Sequence, residues 1–360
     1  MMDRGKISPL QMAFLLYPVV AATGDLIVPA ITATAAKRDM WLSPIWSSLA
    51  GFLLVFVAYR LNKLFPQETF IQYSQHILGR IPGMAFGFLY IFVLLYDTGF
   101  ILREYADFLI GSFFGKTPMT IVLASMVAVC AFAVHGGVEV LGRAAQVIMP
   151  VVVIVWIAIV VLLIPDYKIE NMFPVMENGI GPSLKGAITP EVWFCLFFLT
   201  TFLFPALTQR QKGLKWGMIA VLCVMLMLSL LNMAALLLFG DIAGNLEYPL
   251  MIAARYVRVT GFLEHLESLT MAVWVASVFV KLSVFYYATV LGTAQLLNLS
   301  NYKPVILPIG MLIVIFSIWS FASIQEMGEF SRTTVPLYEN AFYLVIPVSL
   351  LLLAQIKSNR

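Results

Sequence analysis

The chain reads as an all-α integral membrane protein of ten transmembrane helices arranged as a five-plus-five inverted repeat. Three observations predict this: the composition, the length of the apolar runs, and helix-disrupting residues at matching places in the two halves. Of 360 residues, 61% are hydrophobic and 11% charged, and the mean hydropathy is +0.93. Such a chain is not a soluble globular domain. The apolar runs are unbroken rather than alternating segments of ~10 residues, which selects helices over an outer-membrane barrel. A formal charge of +3 is too small to point to nucleic acid. Cys130, Cys195 and Cys223 all lie inside apolar runs, which argues against a disulfide framework or a metal cluster.

The first segment, 9–35, follows Arg4 and Lys6 and has a cleavable-signal look. The same pattern continues for nine further segments, so it is read as a retained span. These run over 43–62, 83–113, 118–134, 143–164, 189–207, 214–240, 268–298, 304–322 and 337–356, most near or above the ~20 residues a crossing needs. After the second segment, the turn 65–69 leads into 70–78, an amphipathic stretch expected to be an interfacial helix. The longest connections, 165–188 and 241–267, carry Pro174, Pro182 and Pro249 between partly apolar stretches and are expected to form short surface helices. No linker or low-complexity tract divides the chain, so residues 1–360 form one domain, with repeats over about 9–164 and 189–356.

Ten spans put both termini on one side. That side holds Arg4, Lys6, Arg60, Lys63, Arg80, Arg143, Arg210, Lys212, Lys215, Lys303, Lys357 and Arg360. The other side holds Lys37, Arg38, Lys116, Lys168, Lys185, Arg255, Arg258 and Arg332 among many carboxylates, including Asp166, Glu170, Glu177, Asp241, Glu247, Glu264 and Glu267. The positive-inside rule therefore places both termini in the cytoplasm.

Within the first span, Thr23-Gly24-Asp25 lies between Pro18 and Pro29. A carboxylate at bilayer depth costs at least ~2.5 kcal/mol on insertion scales, so an interruption here reads as a binding site. The sixth span has Thr200-Thr201 followed by Pro205, whose ring removes a backbone donor and clashes with the preceding turn. Helices 1 and 6 are thus the expected discontinuous pair, as in secondary transporters built from inverted repeats.

The third segment carries Asp97, Arg103, Glu104 and Asp107. Arg103 and Asp107, four apart, can pair locally, so the outer cluster is expected to be self-paired or snorkelling. Asp97 is deeper, between Tyr96 and Thr98-Gly99. Lys281 is the one cation deep in the later segments and needs a partner, for which Asp25 and Asp97 are candidates. Ser283, Tyr286, Tyr287 and Thr289 could line the same cavity. Enzyme readings fare poorly: His76, His135 and His265 have no metal-ligand spacing, and Gly136-Gly137 is a turn rather than a phosphate-cradling loop. No catalytic residue, metal or cofactor is expected.

The stretch Ile7-Ser8-Pro9-Leu10-Gln11, the Gly24-Asp25 pair, Phe65-Pro66-Gln67-Glu68-Thr69 with Gln72-Tyr73 and Ile77-Leu78-Gly79, Arg103-Glu104, Asn171-Met172-Phe173-Pro174 and Phe204-Pro205 occur in an order that resembles the B subunit of bacterial spore germinant receptors. The resemblance spans nearly the whole chain. It implies the amino acid-polyamine-organocation superfamily and a LeuT-like fold. It also implies a place in the spore inner membrane beside an A subunit and a lipoprotein C subunit, and recognition of a small germinant such as an amino acid.

By that analogy a zwitterion lies between helices 1 and 6, its carboxylate at Thr23 and the Gly24 backbone, with Thr200 and Thr201 forming the other break. Asp25 or Asp97 would meet the amino group, and Tyr96, Phe198 and Tyr287 would set the side-chain pocket. Asp25, Asp97, Lys281 and Glu104 would form an ion-coupling set. Three functions are compatible with this: a germinant-sensing subunit that signals to its partners, a secondary amino-acid transporter coupled to H⁺ or Na⁺, and a structural subunit of a membrane channel complex.

Overall fold

A computed structural model describes residues 3, 5–256 and 266–358. The helices are α1 (Pro9–Ala36), α2 (Ser43–Leu64), α3 (Phe70–Leu78), α4 (Arg80–Ser112), α5 (Met119–His135), α6 (Val138–Leu162), α7 (Gly181–Cys195), α8 (Thr200–Leu203), α9 (Gly213–Phe239), α10 (Pro249–Tyr256), α11 (Leu266–Leu296), α12 (Ile306–Trp319), α13 (Ile324–Thr333), α14 (Val335–Glu339) and α15 (Ile346–Ser358). Each of the ten apolar segments read from the sequence falls on helix. Seven helical stretches are long and apolar enough to cross a membrane, and the first of them, Pro9–Leu64, comprises both α1 and α2. An eighth is counted when α12 and α13, bent by 99° at their junction, are taken as one span, and α5 is a shorter apolar helix.

α1 begins with a capping box: the Ser8 hydroxyl accepts from the Gln11 amide at 3.1 Å and the Gln11 side chain accepts from the Ser8 amide at 2.9 Å. Pro9 takes the first helical position, where its missing N–H is not needed. From there the helix runs without interruption to Ala36, through both internal prolines and through Thr23-Gly24-Asp25. The expected discontinuity of helix 1 is therefore corrected. A glycine inside a helix costs only about 1 kcal/mol relative to alanine, and in an apolar medium each backbone group released from the ladder costs several more. Packing does not demand a glycine at position 24 either: a Cβ there would lie 3.4 Å from the Leu228 side chain on α9, an ordinary contact distance.

The sixth span is irregular, as expected. α7 gives way to a tight 3₁₀ turn, Leu196–Leu199, then to the single turn α8 and another 3₁₀ turn at Phe204–Ala206. Pro205 then closes the segment.

α1 is the hub, packed against α6, α7, α9 and α11, while α4 packs on α11 and α12. The stretch 70–78 is helical, but its apolar face turns to protein rather than to headgroups: Phe70, Ile71, Tyr73, Ser74 and Ile77 are buried and α3 packs on α4. Gly83 makes that approach possible, since a Cβ on it would lie 2.4 Å from the Gln75 Cα.

The connection 165–188 forms short 3₁₀ turns at Ile164–Asp166 and Ile169–Met172 before α7 starts. It is tied down by Asp39, which accepts from the Met176 amide at 2.9 Å, and by Asn171, which donates to the Leu236 and Leu237 carbonyls. The connection 241–267 contains α10, but Arg258, Glu264 and His265 lie outside the described residues, as do Arg4 and Arg360. The one strand-like pairing among the described residues is a parallel bridge between Ile7 and Leu207. It clamps the segment before α1 to the end of the sixth span, through Ile7 N–H to Ala206 O and Thr208 N–H to Ile7 O, both at 3.0 Å. Asp3 packs nearby, and Lys357 donates to the Ile77 carbonyl of α3, so this end of the bundle is called the N-terminal face.

Candidate ligand-binding site in the helix core

At mid-depth, α1 meets α7 and α11 through one hydroxyl. Thr23 Oγ1 accepts from Lys281 Nζ at 2.7 Å and from Trp193 Nε1 at 2.9 Å. Lys281 is 1% exposed and Thr23 2%. The ammonium also sits in the field of Glu104, Glu339 and Asp97, yet among the described residues no carboxylate oxygen comes within 4.0 Å of it. Its expected direct partnership with Asp25 or Asp97 is thus replaced by a hydrogen bond to Thr23. Helical phase explains the loss of Asp25: positions 23 and 25 differ by about 200° around the axis. When Thr23 faces α11, Asp25 faces away. Asp25 is buried, and among the described residues its Oδ1 has no hydrogen-bond partner.

Asp97 on α4 is held by two phenols of the last span. Tyr338 donates to Oδ1 at 2.7 Å, and Tyr343, within the π turn Asn340–Val345, donates to Oδ2. Tyr96 is beside Asp97 in sequence but turns into an aromatic group with Phe316, Phe330 and Tyr338, and it adjoins Asp97 only through Tyr338. Glu104 lies two turns along α4 from Asp97, within the field of Lys281 and Asp107. Arg103 pairs with Asp107 at 2.8 Å and donates to the Ser317 and Phe321 carbonyls at the end of α12. The self-paired reading of that cluster holds, while the buried guanidinium does not snorkel.

The residues expected at the sixth-helix break separate into three roles. Phe198 is fully buried and stacks on Tyr343 with ring centroids 5.5 Å apart, while also contacting Tyr90 and Phe70. Thr200 spends its hydroxyl on its own chain, donating to the Phe197 carbonyl at 2.5 Å. Thr201 Oγ1 is buried beside the Tyr73 hydroxyl, its hydrogen-bonding neighbour, and the Tyr90 hydroxyl is buried without a hydrogen-bond partner among the described residues. Gly24, inside an intact helix, has its backbone committed to the ladder, so the expected carboxylate cradle at its amide is not formed.

Tyr287 stands apart from the central layer. Its hydroxyl donates to Asp3 Oδ2 at 3.1 Å, and its ring lines a cavity of about 290 Å³ on the N-terminal face, together with Phe202, Gln67, Thr69, Gln72 and Gln295. Phe202 meets Phe198 edge-on at 6.2 Å. A chain of contacts thus runs from Phe202 at the cavity through Phe198 and Tyr343 to Asp97. Two phenylalanines of the irregular sixth span form a partition between this cavity and the buried polar layer.

The sequence reading did not include Trp193, Tyr338, Glu339, Tyr343 or Asp3. Glu339 and Tyr343 were detectable as an acid and a phenol four residues apart inside an apolar segment, whereas Trp193 and Asp3 are brought in by long-range contacts alone.

Comparison with known proteins agrees with this architecture. Among solved structures, Mhp1, a nucleobase-cation-symport-1 family transporter in a closed conformation with bromovinylhydantoin bound, superposes with a TM-score of 0.68 at 11% identity, covering 95% of this chain and 76% of that one. MhsT in complex with L-phenylalanine gives 0.68 at 12% identity, covering 97% and 89%. The fold is thus that of the LeuT-type transporters. By sequence, the chain is 29% identical over 367 residues to spore germination protein KB of Bacillus subtilis (strain 168), covering all of this chain and 97% of that protein. It is 23% identical to spore germination protein YndE of the same organism, covering 86% of each. The family described as "Spore germination protein" matches residues 6–324, and the chain, a multi-pass membrane protein, belongs to that family.

Proposed function

We propose that this protein is the germinant-sensing membrane subunit of a spore germination receptor. A small nutrient of the amino-acid class binds in the core between α1, the irregular sixth span, α4 and α11. The bound form shifts the bundle between two arrangements, and the change passes to A and C subunits in the spore inner membrane, with the N-terminal face in the cytoplasm. The chain carries out no chemistry of its own.

The observation that carries this reading is the Lys281 to Thr23 hydrogen bond. A covalently held ammonium bridges α1 and α11 at mid-depth, so the two helices are joined by a cation that does not enter or leave with a solute. A sensor needs only different affinity for two states, and a cation fixed to the chain meets that need without ion flux. The mixed lining supports the ligand class: Asp97 with its two phenols offers a site for an ammonium group, and Phe198 with Tyr90 offers an apolar wall.

A second reading, a secondary transporter coupled to H⁺, is favoured by the carboxylates gathered around Lys281. Purified protein in nanodiscs and proteoliposomes separates the two. Saturable binding of one member of an amino-acid panel, without accumulation against a gradient, is the expected result. Accumulation would establish transport, and absence of binding across the panel would leave a structural subunit.

A further inference from the structure

The turn between α2 and α3 holds a side chain that its backbone disfavours. The Glu68 amide donates to the Phe65 carbonyl at 3.3 Å, Pro66 takes the second position, and Gln67 takes the third with a φ of 70°. Proline followed by a positive φ marks a type II turn, whose third position is ordinarily glycine or asparagine. Any larger L side chain is strained there. Glutamine is thus kept at a steric cost that the turn itself does not require. Its location supplies a reason: Gln67 borders the cavity of about 290 Å³ on the N-terminal face.

Two further carboxamides line that cavity. The Gln72 oxygen accepts from the Thr69 amide at 3.3 Å, and the Thr69 hydroxyl donates to the Gln295 oxygen. With both oxygens engaged, the two NH2 groups are the donors left to the cavity. Charge points the same way. Asp3 is the one carboxylate among the described lining residues, and no lysine or arginine is among them. Asp3 already accepts from the Gly5 and Val138 amides and from Tyr287. An anion would meet Asp3 with no cation to offset it, and a cation would meet carboxamide donors. Phe202 and Leu291, both buried, add an apolar wall.

We propose that this cavity binds a small uncharged polyhydroxylated solute. Its hydroxyl oxygens accept from the Gln67, Gln72 and Gln295 carboxamides, and its C–H face rests on Phe202 and Leu291. The site is separate from the layer of Asp97 and Lys281. The solute joins the turn before α3, α11 and the end of the irregular sixth span, so occupancy favours the arrangement in which these parts are held together. With this face in the cytoplasm, on which the sensing proposal also rests, the solute arrives from inside the cell and sets how readily the core responds.

Equilibrium dialysis of the full chain in nanodiscs against radiolabelled glycerol, erythritol and myo-inositol tests this. The expected result is saturable binding of at least one of the three, one molecule per chain, displaced neither by the amino-acid panel nor by gluconate or glucosamine. Gln67→Gly should weaken that binding at least fivefold while the thermal midpoint stays equal or rises, because glycine relieves the turn. Gln67→Asn, which suits the turn and keeps a carboxamide, should weaken it less. Absence of saturable binding for all three probes, displacement by the amino acids or by either charged sugar, or undiminished binding in Gln67→Gly would overturn the proposal. A lowered thermal midpoint in Gln67→Gly would do the same, since the side chain would then be a support of the turn. Amino-acid binding is read separately in the same dialysis, so failure of this site leaves the sensing proposal standing.

Discussion

Lys281 on α11 and Thr23 on α1, 258 residues apart, are joined by a 2.7 Å hydrogen bond in the middle of the bundle. The lysine has no ion pair within 4.0 Å among the described residues, so a neutral hydroxyl is the anchor of a buried cation. That arrangement lets α1 and α11 part without separating opposite charges in a low-dielectric core, where such separation is most costly.

Thr23→Val is therefore expected to destabilise the protein by about 1–3 kcal/mol, because it strands both the Lys281 ammonium and the Trp193 N–H. Lys281→Met should be near neutral or stabilising, since an apolar residue of similar length removes the desolvated charge altogether. In the Lys281→Met background, Thr23→Val should cost clearly less than it does alone. Thermal unfolding of the four proteins in one detergent reads this as a double-mutant cycle, and simple additivity would mean that the bond contributes nothing.

The uninterrupted course of α1 sets expectations for its glycine. Gly24→Ala places a Cβ at ordinary contact distance from Leu228 and improves helix propensity, so stability is expected to change by less than about 1 kcal/mol and ligand response to persist. Gly83→Ala is the contrasting case. Its Cβ meets backbone, the Gln75 Cα, at 2.4 Å, so α3 and α4 must separate and folded yield should fall. Loss of response in Gly24→Ala with unchanged stability would restore a direct ligand role for that position.

Asp97→Ala should cost about 1–3 kcal/mol for each hydroxyl it leaves buried without a partner, since Tyr338 and Tyr343 both donate to this carboxylate. Tyr343→Phe removes one donor but keeps the ring stacked on Phe198. Under the sensing proposal it should weaken ligand binding at least threefold, whereas Phe198→Ala, which opens the partition, should weaken it at least tenfold. Calorimetric titration with the bound amino acid provides the comparison, and equal affinities in all three proteins would remove this layer from the site.

Much of this organisation was legible in the sequence because bilayer physics leaves few choices. Unbroken apolar runs must be helices, so the element order followed directly, whereas a proline alone does not mark a break: Pro18 and Pro29 sit inside the continuous α1, while Pro205 lies in the 3₁₀ turn that ends the irregular sixth span. Two misreadings have identifiable causes. Gly24 beside Asp25 looked like a helix break, but backbone hydrogen bonds are worth more in an apolar medium than glycine's propensity deficit. Asp25 looked like the partner of Lys281 although its phase on α1 relative to Thr23 points it elsewhere. The contacts of Trp193 and Asp3 leave no local signal, because they are fixed by packing between segments 170 and 284 residues apart.

Tyr302, in the connection between α11 and α12 and outside the spans, offers a pH-dependent readout of the Asp3 contact. Its phenol is pushed up to about 12, first by burial and then by the negative charge of Asp3. A raised folded-state value means that the native protein holds this proton more tightly than the unfolded chain, whose tyrosines titrate near ~10. The resulting stabilisation is fully present below pH ~10 and is lost as the pH rises through about 12. Asp3→Asn removes the charge and leaves the burial, so the Tyr302 midpoint should move down towards the ordinary value without reaching it. The difference in tyrosinate absorbance between each protein and its Tyr302→Phe counterpart isolates that one midpoint. An unchanged midpoint in Asp3→Asn would show that Asp3 does not reach Tyr302, and that the segment before α1 is not seated against this connection.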